Sequence, residues 1–260
     1  MNAGDIKGRD MKGRVVIVTG ASRGIGRGLA LYLAKAGATL VVTGRKPDRL
    51  AEISGDLDEL GAPHLALPLD QADRDGAFGL AEQTLAEFGR IDGLVANAQT
   101  FRSVTPLEEV TERDMNLLLD TGPKGVLWMM QAVFPAMRDQ GWGRIVTMGS
   151  NAALIGAAGY GPYTVAKEGI RGLTRVAARE WGKHGIIVNC VCPVSVAHRT
   201  PPDDPARRAV FEATFKDIPL GRDGDVEDDI APAVAFLLSD DCSYMTGETL
   251  MLDGGALMRP

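Results

Sequence analysis

Short β-rich runs alternate with helical patterns almost from one end of this chain to the other. The strand candidates are Arg14–Thr19, Thr39–Thr43, His64–Leu69, Gly93–Ala96, Arg144–Met148, Ile186–Val191 and Thr249–Leu252. Runs such as VVIV and LVV are continuously apolar, as parallel strands buried on both faces require. Between them, Ile25, Leu29, Tyr32 and Ala36 keep helical spacing, as do Ala166, Ile170, Leu173, Ala177 and Trp181. Such alternation predicts a doubly wound α/β domain: a parallel seven-stranded sheet with helices on both faces and right-handed crossovers. No repeat, low-complexity segment or linker divides residues 13–260, which read as one domain. Residues 1–12 read as a flexible tail, and Thr200–Pro205 (TPPDDP) as a mobile loop.

Composition excludes several functions. The net charge is −6 and the two signs are mixed along the chain, whereas a nucleic-acid or anionic-membrane surface needs clustered Lys and Arg. No run approaches the roughly 18 apolar residues of a membrane span, and the start MNAGDIKGRD is too polar for a signal peptide. Cys190, Cys192 and Cys242 are odd in number, and C-x-C lacks the second pair of a zinc site. They read as reduced cytosolic thiols, which makes the expected location cytoplasmic. His64, His184 and His198 stand singly, so no metal site is expected.

The first strand runs directly into Thr19-Gly20-Ala21-Ser22-Arg23-Gly24-Ile25-Gly26, where a helix opens. The backbone there must turn tightly and approach a pyrophosphate without Cβ atoms in the way. The helix N-terminus then offers free N–H groups and the positive end of its dipole. A glycine triplet alone could be a simple turn. Between a buried strand and an amphipathic helix it marks a Rossmann-type dinucleotide site, with Gly20, Ser22, Arg23, Gly24, Ile25 and Gly26 around the phosphates. The second strand ends VVTGRK, so Gly44 and Arg45 stand where an acidic residue would bind the ribose 2′-hydroxyl of NAD. Arg45 and Arg23 could instead grip a 2′-phosphate. NADP is therefore the expected cofactor in preference to NAD; the alternative leaves both arginines as ordinary surface charges.

Ser150 lies just past the fifth strand, at the carboxyl edge of the sheet where α/β ligands bind. Tyr163 follows thirteen residues later and Lys167 four beyond it, on one face of a helix beginning near Pro162. An ordinary tyrosine titrates near pH 10, so a phenol that exchanges protons at neutrality needs a neighbouring cation. Tyr-x-x-x-Lys by itself is common on helices; nearby Tyr160 has Thr164 at the same spacing.

At this point the chain resembles the short-chain dehydrogenase/reductase family along nearly its whole length, in the subgroup of chains about 250 residues long. The resemblance rests on T-G-A-S-R-G-I-G, Asp70 after the third strand and Asn97 after the fourth. It rests further on Ser150 with Tyr163 and Lys167, on Pro193 after V-N-C-V-C, and on D-G-G at 253–255. It implies that Tyr163 is the general acid–base, that Lys167 binds the nicotinamide ribose and assists the phenol, and that Ser150 positions the carbonyl or hydroxyl. Asp70 would hydrogen-bond the adenine, with Gln71 and Asn97 in the same cofactor site. The backbone around Pro193, Ser195 and Val196 would meet the nicotinamide amide. A homotetramer is also implied, and the apolar run Val126–Phe134 suits such an interface.

The chain departs from the family pattern at four places. The asparagine that anchors a water relay to the lysine aligns with Gly122, and Pro123 follows it. The usual N-N-A-G is Ala96-Asn97-Ala98-Gln99, the usual P-G is Pro193-Val194, and His198 stands where a threonine is expected. Gly-Pro should break the helix locally, and a backbone carbonyl at Gly122 would then be free to hold the water. Two readings follow. One is an NADP(H)-dependent enzyme interconverting a small-molecule carbonyl and a secondary alcohol. The other is a catalytically weak NADP-binding sensor or scaffold, favoured by the losses at Gly122, Gln99 and Val194. The complete Ser150, Tyr163 and Lys167 set decides for the enzyme.

Overall fold

A computed structural model describes residues 10–101, 104–195 and 218–258, and structural statements here concern those residues. The expectations placed on Val196, on His198, on the Thr200–Pro205 loop and on residues 1–9 of the tail lie outside them. Seven parallel strands form one sheet in the order β3-β2-β1-β4-β5-β6-β7. They are β1 (Val15–Val18), β2 (Thr39–Gly44), β3 (His64–Pro68), β4 (Gly93–Ala96), β5 (Gly143–Met148), β6 (Ile186–Pro193) and β7 (Thr249–Leu252). Each overlaps its sequence expectation to within about two residues at either end. The central strands β1, β4 and β5 are buried throughout, while the edge strands β3 and β7 are half-exposed. That gradient explains why VVIV carries no polar alternation.

Helices cover both faces. On one side α1 (Gly24–Lys35) and α2 (Pro47–Glu59) join a C-terminal helix, Ala231–Leu238, around Leu29, Leu33, Ile53, Leu57 and Val234. On the other, α3 (Arg74–Phe88) packs with two longer helices, Gly125–Gln140 and Gly161–Trp181, around Leu80, Met129, Val133 and Ile170. Each fully buried aliphatic side chain in these layers contributes about 1.5–3 kcal/mol.

The expected break at Gly-Pro is present. Helix α4 (Glu112–Leu119) runs into a wide π segment, Asp120–Lys124, in which Gly122 leaves helical geometry at φ −93° and ψ −106°. Helix α5 (Gly125–Gln140) then resumes. A short α6 (Asn151–Leu154) precedes α7 (Gly161–Trp181), and the C-terminal helix is α8 (Ala231–Leu238). Thr147 on β5 shares a 2.7 Å hydrogen bond with Thr174 on α7, which sets that helix's height against the sheet.

Candidate active site

A cleft of about 800 Å³ opens at the carboxyl edge of the sheet. It is lined by every expected site residue that lies within the described segments, from Gly20 to Ser195. Its floor at one end is the glycine loop. Gly20 and Gly24 have φ of 67° and 57°, and a Cβ on Gly26 would sit 2.4 Å from the Gly20 carbonyl oxygen and 2.5 Å from Asn97 Nδ2. These positions admit only glycine. Helix α3 is capped by Asp73 and α4 by Thr111, but Arg23 at the start of α1 makes no side-chain cap. The first N–H groups of α1 are thus left for a ligand, and the glycine cradle fits a pyrophosphate.

Asn97 lines the same end, yet its side chain works on the loop. Its amide donates to the carbonyl oxygens of Thr19 at 2.9 Å and Gly20 at 3.3 Å. The Thr19 hydroxyl accepts from the backbone N–H groups of Asn97 and Ala98, both at 3.0 Å. The loop and the end of β4 are therefore one hydrogen-bonded unit. Beside it, Arg45 follows the last residue of β2, where Gly44 packs against Ser22: a Cβ on Gly44 would lie 3.0 Å from Ser22 Oγ. Arg23 and Arg45 have no acidic partner among the described residues, whereas Arg27 on the same helix is taken up by Asp56. Asp70 is exposed, and one of its carboxylate oxygens accepts from Ala72 N–H at 3.0 Å.

The other end holds Ser150, Tyr163 and Lys167. Lys167 is 5% exposed, and its Nζ donates to the Met148 carbonyl oxygen at 2.8 Å. The same ammonium lies 5.6 Å from the centroid of the Tyr163 ring. Helical spacing brings phenol and ammonium onto one face, and the bond to β5 fixes that face toward the cleft. Ser150 begins α6 but makes no capping bond with its side chain, so its hydroxyl is not spent on the helix. Beyond the trio, Val194 N–H donates to the Leu252 carbonyl at 2.9 Å, and the Ser195 hydroxyl is buried without a protein partner.

Several neighbours had no signal in the sequence. Phe101 meets the Tyr163 ring edge-on at 5.5 Å and the Tyr160 ring at 6.0 Å, forming an aromatic wall. Tyr160, set aside above for its wrong spacing, belongs to that wall. The C-x-C thiols lie under the turn that leads to Ser150: a Cβ on Gly149 would be 2.6 Å from Cys192 Sγ and 2.9 Å from Cys190 Sγ. All three cysteines are buried thiols. Hydrogen bonding with Cys192, against the opposing effect of burial, is the main cause that lowers the Cys190 thiol to about 7; Thr147, Lys167 and Arg171 add to it.

This chain matches, over residues 20–256, the family described as enoyl-(acyl carrier protein) reductase. It is 38% identical over 255 residues to the 12alpha-hydroxysteroid dehydrogenase of Clostridium sp., covering 95% of this chain and 98% of that one. It is 38% identical over 252 residues to the 3-oxoacyl-(acyl-carrier-protein) reductase FabG of Escherichia coli K12, covering 96% and 99%. The structure of levodione reductase superimposes with a TM-score of 0.88 at 32% identity, covering 94% and 98%. Fold and relatives together define a Rossmann-like oxidoreductase. The chain belongs to the short-chain dehydrogenase/reductase family, whose members bind nicotinamide cofactors.

Proposed function

We propose that this enzyme interconverts a small-molecule carbonyl and a secondary alcohol with NADP(H), using Tyr163 as general acid–base. The observation that carries the reading is the buried Lys167 ammonium, held on Met148 and turned to the Tyr163 ring in a cleft shared with Ser150. In the reducing direction the Tyr163 phenol protonates the substrate oxygen while the Ser150 hydroxyl orients it. The adjacent cation favours the phenolate that remains. When bound, the nicotinamide supplies or accepts the hydride. The glycine loop, Ser22 and Ile25 would hold its phosphates. Asp70, Gln71 and Asn97 would line the adenosine side, and Pro193, Ser195 and Val196 the nicotinamide side.

The preference for NADP rests on Arg45 and Arg23, two guanidinium groups without acidic partners beside the glycine cradle. Fluorescence titration with NADPH and NADH should give tighter binding of NADPH. A panel of ketones and secondary alcohols, alicyclic substrates included, should then show turnover. Binding with no turnover on any substrate would favour the sensor or scaffold instead. Lys167→Ala should lose both rate and cofactor affinity.

Residues 13–260 are proposed to act as one catalytic unit, cytoplasmic and assembled as a homotetramer. The run Val126–Phe134, expected at the interface, is largely spent on the domain's own core, with Val126, Met129, Met130 and Val133 buried. The assembly surface is assigned instead to the exposed Val165 and Val176 on α7. A monomeric mass by light scattering at micromolar concentration would refute the assembly, and recovery in a membrane fraction would refute the location.

A further inference from the structure

Gln99 and Gly122 occupy each other's space. An ideal Cβ on Gly122 would lie 3.0 Å from Gln99 Nε2, 3.4 Å from Gln99 Cδ and 3.2 Å from Ala166 Cβ. The Gln99 carboxamide therefore fills the place that a side chain at 122 would take, where the π segment meets α7 one residue before Lys167. Both of its polar atoms, Nε2 and Oε1, are buried without a protein partner, although Gln99 lines the cleft. A buried amide in that state requires a small polar partner, because leaving donor and acceptor unmet costs most of their solvation. Lys167 has the matching need. An ammonium carries three donors, and among the described residues one of them goes to Met148. At Gly122 the backbone leaves helical geometry, yet its carbonyl accepts from the Gly125 N–H. The carbonyl expected to be free for a water is thus already engaged, and the Gln99 carboxamide is the group left open.

We infer that Gln99 is a positioning residue for proton transfer: its carboxamide, seated against Gly122, holds a water that supplies protons to Lys167 and so to Tyr163. The inference rests on the proposed role of Tyr163 and Lys167. In the reducing direction the phenol gives one proton to the substrate oxygen. It regains one through Lys167 from the held water, which takes one from solvent. One proton is consumed for each carbonyl reduced, beside the hydride that a bound nicotinamide would pass from its own C–H bond to the carbonyl carbon. The glutamine at 99 and the glycine at 122 are thus one compensated exchange, in which a carboxamide reaches the same space from the neighbouring loop.

Two measurements test this. Gln99→Leu keeps the packing and removes the amide. Its kcat should fall about 10-fold with both KM values within about twofold, and the solvent deuterium isotope effect on kcat should rise. Unchanged kcat and isotope effect would overturn the assignment. The second measurement needs no turnover. Gly122→Asn alone should lower Tm by about 5 °C through crowding, and Gln99→Gly/Gly122→Asn should recover most of that loss. The same double variant should return kcat to within about threefold of wild type, since it restores a carboxamide to that space. Additive Tm losses would sink the shared space. If Tyr163→Phe keeps full turnover, the Tyr163 reading has failed, while the Tm cycle still reports on the Gln99–Gly122 pair.

Discussion

The two edges of the sheet treat their buried polar groups in opposite ways. At the amino edge Asp92 is 1% exposed and fully occupied. It accepts from Val15 N–H at 2.9 Å and from Arg90 at 2.8 and 2.7 Å, and Arg14 lies 3.5 Å away. Arg14 continues to Asp240, which also accepts from the Trp142 indole. Buried Arg144 spends its guanidinium on the carbonyls of Gly143, Gly185 and Ser239. At the carboxyl edge, the amides of Gln71 and Gln99 and the hydroxyl of Ser195 are buried without protein partners. A closed network locks strand ends together; an open one keeps its hydrogen-bonding capacity for a ligand. Stability and chemistry are thereby assigned to opposite ends of the same strands.

Variants can break this comparison at either end. The largest effect should come from Asp92→Ala, which strands the Val15 N–H and removes the acceptor of two arginines. A loss on the order of 3 kcal/mol is expected, read as a fall in urea midpoint, with kcat of the folded enzyme unchanged. A variant that lost kcat and kept its midpoint would invert the assignment. Tyr163→Phe should do the reverse: at least about a 100-fold fall in rate with the urea midpoint and cofactor affinity nearly unchanged. Near-full turnover would leave Tyr163 as a half-buried aromatic at a helix start.

Arg45→Ala should weaken NADPH by about 1–3 kcal/mol and barely alter NADH. Equal losses for both, or tighter wild-type binding of NADH, would remove the basis for choosing NADP. The smallest effect belongs to an exposed pair just before α8. Arg222 and the backbone N–H of Asp225 both donate to Asp229, and together they lower its carboxyl to about 2. A depressed folded-state value means the stabilisation is complete above the unfolded value near 4 and fades as pH falls toward 2. The urea-midpoint difference between wild type and Arg222→Ala should therefore shrink from pH 5 to pH 3. A difference that grew on acidification would contradict that sign.

Most of the carboxyl edge was legible in the sequence, and little of the amino edge was. The glycine loop, the Arg45 position and the Tyr163–Lys167 spacing are local patterns, and each places its residues on a strand end or a helix face by period alone. Asp92 has no such pattern: it is one acidic residue before a strand. Its importance appears only because β4 lies beside β1 in the sheet, which brings Val15 and Arg14 to it. Gln99 and Gly122 looked like two separate departures from the family, each counting against catalysis. Their contact removes part of that objection.

The sequence alone determined the strand and helix periods, the chain-reversing glycines and the spacing of the phenol and ammonium. These depend on residues within one or two turns of each other. Tertiary structure decided the partners across the fold: Cys190 and Cys192 beneath Gly149, Phe101 against Tyr163, and Gln99 in the space of Gly122. Those contacts join segments whose proximity is set by strand order and helix docking, and side-chain periodicity carries no record of which remote segment will arrive.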